Sequence, residues 1–348
     1  MALADAGDES CADDRFAVLP PEDLDVPHLR SLAFRMQQRE FAVALKPYFL
    51  QRLLDEADCA LYLDPDVLVL ADLKRLFAEV AAHTLTLVPH ALSPPVTADP
   101  VERERAFHLA GVFNGGVIGV RRSATAAAFL TWWQRRVDEI CTHAVDRGIH
   151  YDQRWLDLSL GLVDDVLIHR DIGVNVAHWN LPERPVRLVD GHVTAGGVPC
   201  RLFHFSGFNP ADPTVPTRYR PDLRMDEVGE AERLFRDYAA ALVAADWREA
   251  RTAPYAYAVF DNGVRIPDVA RRLYAHTPDA RAFENPFGRD FFTWLTEGSP
   301  TRLWLFVHSE RADLQRAFPH PEGRDRRRFL KWSRSHGARE HDIPPELV

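Results

Sequence analysis

The sequence predicts an α/β protein in which a mostly parallel sheet is flanked by helices and followed by a helical C-terminal appendage. Two observations carry that expectation. From Leu29 to Val88, segments with apolar residues at helical spacing alternate with apolar runs of strand length, an order that favours parallel strands with helices on both faces. After Pro221 the pattern turns helical and stays so, which places a boundary near residue 250 and divides the chain into a domain over 1–250 and a module over 251–348. With 348 residues, 46% of them hydrophobic, the chain can build one large core and an added module.

Taken in order, Met1–Ala4 is a short apolar stub before an acidic loop to Asp14, too polar for a signal peptide. Phe16–Leu19 is expected as a short strand closed by Pro20-Pro21. Leu32, Phe34, Met36, Phe41 and Val43 mark a helix from Leu29 to Val43, and Pro47 suits the first turn of a second helix that runs to Ala57. A strand over Ala60–Leu70 follows, then Asp72 as N-cap of a helix from Leu73 to His83, and a strand over Thr84–Val88. Pro89–Pro100 is rich in Pro, Ser and Thr and is expected as a loop reaching toward Ala110. Gly111–Val120 gives a turn and a strand; Ser123 caps a helix that carries Phe129, Trp132 and Trp133 to Ala144.

Tyr151–Leu158 begins another helix, Val166–His169 is a strand, and Asn175–Asn180 an aromatic loop. Arg187–Val193 and Gly197–Leu202 suggest a hairpin through Gly191 or Gly196-Gly197, with Leu202–Gly207 ending the same sheet. Met225–Trp247 has the spacing of a long amphipathic helix, Asp261-Asn262-Gly263 is a turn, and Asp268 onward is helical around Phe291–Leu295 and Phe329–Trp332.

Composition narrows the classes. No apolar run approaches the roughly 20 residues that span a bilayer, so a soluble protein is expected. Cys11, Cys59, Cys141 and Cys200 are far apart and form no Cys-x-x-Cys pair, which argues for a reducing, cytoplasmic compartment. A net charge of −9 argues against nucleic acid as a partner. Of 42 basic residues only Lys46, Lys74 and Lys331 are lysines.

The chemistry concentrates around Leu63-Asp64-Pro65-Asp66-Val67. Residues i and i+2 of an extended segment share a side, so Asp64 and Asp66 can aim at one point. Two converging carboxylates suit a hard cation such as Mg²⁺ or Mn²⁺, and such a cation suits a phosphate. The alternative is a strand that simply ends in an acidic turn.

Four separated segments, in order, resemble one family: Leu61–Val69, Phe113-Asn114-Gly115-Gly116-Val117, Tyr151-Asp152-Gln153 and Phe203-His204-Phe205-Ser206-Gly207. They are similar to the motifs of nucleotide-sugar glycosyltransferases of the GT-A type, in the retaining, family-eight-like branch that includes glycogenin and bacterial galactosyltransferases. The resemblance covers roughly residues 40 to 210. It implies a GT-A-like, Rossmann-type domain and a metal-dependent transfer, with retention, of a sugar from a nucleotide-diphosphate donor, UDP favoured, to a glycan or lipid-linked saccharide acceptor.

By the same resemblance Asp64, Asp66 and His204 would hold Mn²⁺ or Mg²⁺. His204, flanked by phenylalanines, would otherwise be a core histidine. Lys46, Asn114, Gly115, Gly116, Asp64 and Gly207 would bind the donor, though Lys46 fits a solvated helix N-terminus equally well. Asp152 would hold a sugar hydroxyl or cap a helix, and the Gln153 carbonyl would lie near the anomeric carbon. Trp179 and Asn180 are weaker candidates for sugar contact. The family has more residues before the metal strand than this chain, so its first, nucleotide-binding strand is expected to be missing, either because the true start lies upstream or because part of the donor site has been lost.

Two other readings compete. A noncatalytic nucleotide-sugar-binding or scaffold protein of the same fold fits the short N-terminus. A haloacid-dehalogenase-type phosphatase also uses an apolar strand and Asp-x-Asp, but its lysine would have to be Lys74, and Leu68 stands where it has Thr or Val. Arg324–Arg328 could meet an anionic lipid at the inner membrane face, although a solvated helix face is the stronger reading.

Overall fold

The computed structural model describes residues 16–348 together with a two-residue strand, Ala2–Leu3, that pairs in parallel with Val18–Leu19. The remainder of the N-terminal stub, the acidic loop and Cys11 lie outside the described residues. The chain forms a mixed α/β structure of two compact units, one over 43–253 and one made of 1–42 with 254–348. The first 42 residues therefore group with the C-terminal helices, where the sequence placed them in the front domain.

In the 43–253 unit seven strands carry the site: β1 (Cys59–Leu63), β2 (Val67–Val69), β3 (Leu85–Pro89), β4 (Phe113–Arg121), β5 (Val166–Ile168), β6 (Val176–Ala177) and β7 (Leu202–His204). One sheet has the order β1-β4-β3-β5 and another the order β6-β7-β2. The expected mostly parallel sheet is corrected here. β4 runs antiparallel to both β1 and β3, β7 antiparallel to β2, and only β3–β5 and β6–β7 are parallel. An all-apolar run reports that a strand is covered on both faces, and β4 is buried over eight of nine residues; it says nothing of direction.

The single strand expected over Ala60–Leu70 is two, in different sheets. Pro65 and Asp66 form a turn in which the Val67 amide donates to the Asp64 carbonyl at 3.0 Å. Four helices frame these sheets: α1 (Lys46–Glu56), α2 (Lys74–Ala82), α3 (Pro100–Ala110) and α4 (Ala124–Glu139). Leu76 and Val80 of α2 pack with Val88, Val117, Val174 and Leu202, and Gly119 lacks the Cβ that would strike Val80. Ser123 accepts from the Ala126 amide at 3.0 Å, capping α4, which buries Phe129, Leu130, Trp133 and Val137.

Other elements differ from expectation for local reasons. α3 occupies ground expected as loop; it buries no residue, so it has no apolar stripe to read, and only its Asp99 cap and Pro100 mark it. The helix expected over Leu29–Val43 is broken where Met36 turns extended, and that over Met225–Trp247 is interrupted at Gly229, whose φ is +63°. α4 ends at Glu139 because His143–Ala144 pairs with Ile149–His150. The expected hairpin is a three-stranded meander, Val186–Val189, His192–Ala195 and Val198–Pro199, turning at both glycine sites. Leu202–His204 leaves that sheet to pair with β2 and β6.

The other unit is built of short helices, among them Leu29–Arg35, Asp268–His276, Arg289–Thr296 and Arg302–Glu310. Phe34 sits among the rings of Phe260, Tyr274, Phe287 and Phe291, at centroid distances of 5.1 to 5.8 Å. Arg271 is buried beside it and donates to the carbonyls of Ala33, Phe34, Met36 and Tyr257. That guanidinium and the rings around Phe34 join 16–42 to 254–348.

Candidate metal centre

Asp64 leaves the end of β1, where its amide donates to the Gly116 carbonyl at 2.8 Å, and Asp66 occupies the turn before β2. His204 closes β7, opposite Val67. The three side chains each offer a ligand atom, and these atoms lie within 4.8 Å of one another. His204 Nε2 is 3.0 Å from Asp66 Oδ1 and 4.0 Å from Asp64 Oδ2. The acids thus converge through a turn, rather than through strand alternation as expected.

A run of amides fixes the imidazole. The Gly116 amide donates to Asn114 Oδ1 at 3.0 Å, and Asn175 Nδ2 donates to the same oxygen at 3.1 Å. Asn175 Oδ1 is then left to face His204 Nδ1 at 3.0 Å. With Nδ1 engaged there, Nε2 is the nitrogen turned to the carboxylates. At the other end Asn114 Nδ2 and the Gly115 amide donate to Gln153 Oε1 at 3.1 and 2.9 Å, while Gln153 Nε2 donates to the Ala110 carbonyl at 2.8 Å. Backbone groups anchor both ends, so each amide has one consistent orientation. Asn175, with φ of +59°, was not singled out from the sequence; the left-handed backbone that aims its side chain has no signature in Val174-Asn175-Val176.

Lys46 is buried, which removes the solvated alternative. Its ammonium donates to the Gly115 carbonyl at 3.0 Å and pairs with Asp64 at 3.0 Å and Asp152 at 3.2 Å. Tyr62, also unforeseen, donates to Asp64 Oδ1 at 2.9 Å, and its ring lies 5.1 Å from the ammonium. Asp152 makes no side-chain cap; the Gln153–Leu158 turn is a 3₁₀ helix without one.

Burial is the largest influence on Asp152, Lys46 and Asp66. It pushes the Asp152 carboxyl up to about 6, with Asp64 adding to the rise and Lys46 opposing it. Burial works to lower the Lys46 ammonium, but Asp152 and Asp64 outweigh it and hold it well above the ordinary value. Burial also works against ionised Asp66, yet the His204 hydrogen bond and charge hold its carboxyl below the usual range. One lysine faces three carboxylates, so the cluster has negative charge to spare for a cation.

The glycines make room. A Cβ on Gly116 would lie 2.5 Å from His204 Cε1 and 2.8 Å from Asp64 Oδ2, and one on Gly115 would lie 3.2 Å from Asp152 Oδ2. Gly207, φ +74°, packs on Tyr219, whose ring carbon would be 2.7 Å from an added Cβ. Asn180 clamps a turn through Ala177, His90 and Asn175 backbone, and Trp179 packs edge-on to His204 at 5.3 Å with its indole N–H unpartnered.

Two proteins of Bacillus subtilis (strain 168) are similar to this chain. The uncharacterized protein YfnD is 28% identical over 191 residues, 53% of this chain and 59% of the relative. The uncharacterized protein YfnF is 28% identical over 195 residues, 55% of this chain and 64% of the relative. The chain thus spans somewhat under two thirds of the length of these curated relatives. No family model matches, and no solved structure does. Among the described residues no helix is long and apolar enough to cross a membrane. Arg328, within the basic run, pairs with Asp325 at 3.3 Å.

Proposed function

We propose that this protein is a metal-dependent glycosyltransferase that moves a sugar, with retention, from a nucleotide-diphosphate donor to a glycan or lipid-linked saccharide acceptor in polysaccharide assembly. The observation that carries the reading is the convergence of Asp64, Asp66 and His204 Nε2, with buried Lys46 and Asp152 beside them. Two hard oxygens and an imidazole fit Mn²⁺ or Mg²⁺, and this set leaves positions for diphosphate oxygens and water. A bound ion would supply charge neutralisation for the departing diphosphate. Lys46 would add a fixed positive charge beside that ion, and Asp152 would accept a hydrogen bond from a sugar hydroxyl.

Gln153 has both acceptor positions of its carbonyl engaged by Asn114 and Gly115. Its role here is to set the Asn114–Gly116 strand that borders the triad, so the glycosyl cation is not assigned to it. Attack by the acceptor on the face the diphosphate leaves, without a covalent intermediate, accounts for retention. The phosphatase reading loses support: its lysine would be Lys74, whose exposed side chain pairs with Asp72 at 3.3 Å.

Calorimetric titration with UDP and GDP, each with and without Mn²⁺, tests the proposal. Metal-dependent binding of one nucleotide is expected, and Asp66→Ala should abolish it. Unaltered affinity in that variant would overturn the assignment. Binding followed by release of free sugar from the donor separates a transferase from a noncatalytic binder.

A further inference from the structure

A cleft of about 880 Å³ opens beside the triad, within the 43–253 unit. Its walls come from α3, from the turn after β6 and from residues 219–229. It is tied to the metal centre by its own packing. Ala177 pairs with His204, His178 follows and lines the cleft, and the His178 ring stacks on Tyr219 at 6.4 Å and 22°. Tyr219, which lines the cleft beside His178, is the ring against which Gly207 is packed. A ligand in the cleft therefore lies next to the site where the donor would bind.

The charges of this cleft are uneven in a specific way. Each carboxylate lining it already has a partner. Asp99 accepts the Glu102 amide at 3.0 Å, Glu102 pairs with Arg105 at 2.6 Å, Asp222 with Arg220 at 2.7 Å, and Glu227 accepts the Arg224 amide at 2.8 Å. Among the cations, Arg220 has Asp222, and Arg187 has Glu230 at 3.6 Å. Arg103 has no carboxylate within 4.0 Å among the described residues; it makes one long bond, 3.4 Å, to the His178 carbonyl and lies over Phe107. It is half-buried, and burial with the nearby Arg220 charge lowers its pKa to about 10 against the opposing pull of Asp222, which lies beyond ion-pair distance. A partly desolvated guanidinium that touches no carboxylate, with the nearby Asp222 already bonded to Arg220, on a helix that buries nothing of its own, is an arrangement a ligand anion would complete.

We propose that this cleft is the acceptor pocket and selects a saccharide bearing a negatively charged group, a carboxylate or a phosphate, that pairs with Arg103. The proposal rests on the glycosyltransferase reading for the word acceptor, whereas its selectivity for charged sugars does not require metal. Arg103 is a specificity residue in this account, and the His178–Tyr219 pair forms one wall for the sugar ring.

The test titrates the whole chain, in EDTA so that no metal can capture a phosphate, with methyl glucoside, methyl glucuronide and glucose 1-phosphate. At least one charged sugar should bind about tenfold more tightly than methyl glucoside, the worth of one charge-assisted hydrogen bond. Preference for the glucuronide alone identifies a carboxylate, and for glucose 1-phosphate alone a phosphate. Arg103→Gln should bring the preference to within about twofold, and Arg103→Lys should restore part of it. Equal binding of neutral and charged sugars, no binding of any, or a preference that survives Arg103→Gln overturns the proposal. Binding of UDP with Mn²⁺, measured on the same samples, reports on the triad separately, so failure of one reading is not mistaken for failure of the other.

Discussion

Gly116 shows how little freedom the site has at the scale of one residue. Its φ is ordinary, so what it contributes is the absence of a side chain: a methyl group would stand among His204, Asp64 and Asn114. Gly116→Ala must displace at least two of them, at a cost of about 1–3 kcal/mol, and we expect it to abolish Mn²⁺ binding by calorimetry. Full binding with unchanged melting would show that the triad can relax around a methyl. Asp152 gives a pH signature. Its carboxyl titrates near 6 when folded, against 3.8 ordinarily. An acid whose pKa rises on folding stabilises the native state below the unfolded value, and that contribution is lost as pH rises through 6. Asp152→Asn should therefore gain on the parent as pH rises from about 4 to about 7 in metal-free urea unfolding; parallel profiles would mean that Lys46 fully compensates the buried charge. At this scale the two acids were legible from their apolar flanks, whereas His204, Lys46 and the Asn114 glycine segment were singled out only by resemblance, and the structure brings these side chains and glycines together. Asn175 and Tyr62 were not legible, since an asparagine between valines and a tyrosine in a strand carry no excess of pattern over ordinary packing.

Among the elements, helices with a buried face were legible and those without one were not. α4 buries a stripe of large residues, and its spacing and Ser123 cap both show in the sequence; α3 buries none, and composition alone made it a loop. The difference predicts how each responds to loss of its cap. Ser123→Ala should lower global stability by about 1 kcal/mol, since α4 forms only with the fold. Asp99→Ala removes an equivalent bond from α3, yet it should leave the urea midpoint in place and only speed amide exchange within Pro100–Ala110. Equal effects on global stability would mean that α3 is integral to the core. Strand direction was the other illegible quantity. The apolar run of β4 records burial on both faces, while its antiparallel pairing with β1 and β3 follows from connections that no single strand encodes.

For the whole molecule, the discontinuity of one unit is what the sequence hid: texture changes near residue 250, but nothing in 1–42 announces that Phe34 and the carbonyls around it belong with Arg271. The 43–253 unit is inserted between the two segments of the other. Bringing those segments together across about two hundred unfolded residues costs about 5 kcal/mol of chain entropy, a cost that a folded insert reduces by shortening the flexible loop. Stability should then be asymmetric, the discontinuous unit leaning on the continuous one and not the reverse. Arg271→Met tests this, since it keeps the volume but orphans the carbonyls of Ala33, Phe34, Met36 and Tyr257. A loss of about 3–5 kcal/mol is expected. Amides of Asp268–His276 should lose their protection at a lower urea concentration than in the parent, while those of β4 keep theirs. Simultaneous loss in both would mean that the two units unfold as one cooperative block, and the metal centre would then depend on a guanidinium outside its own unit.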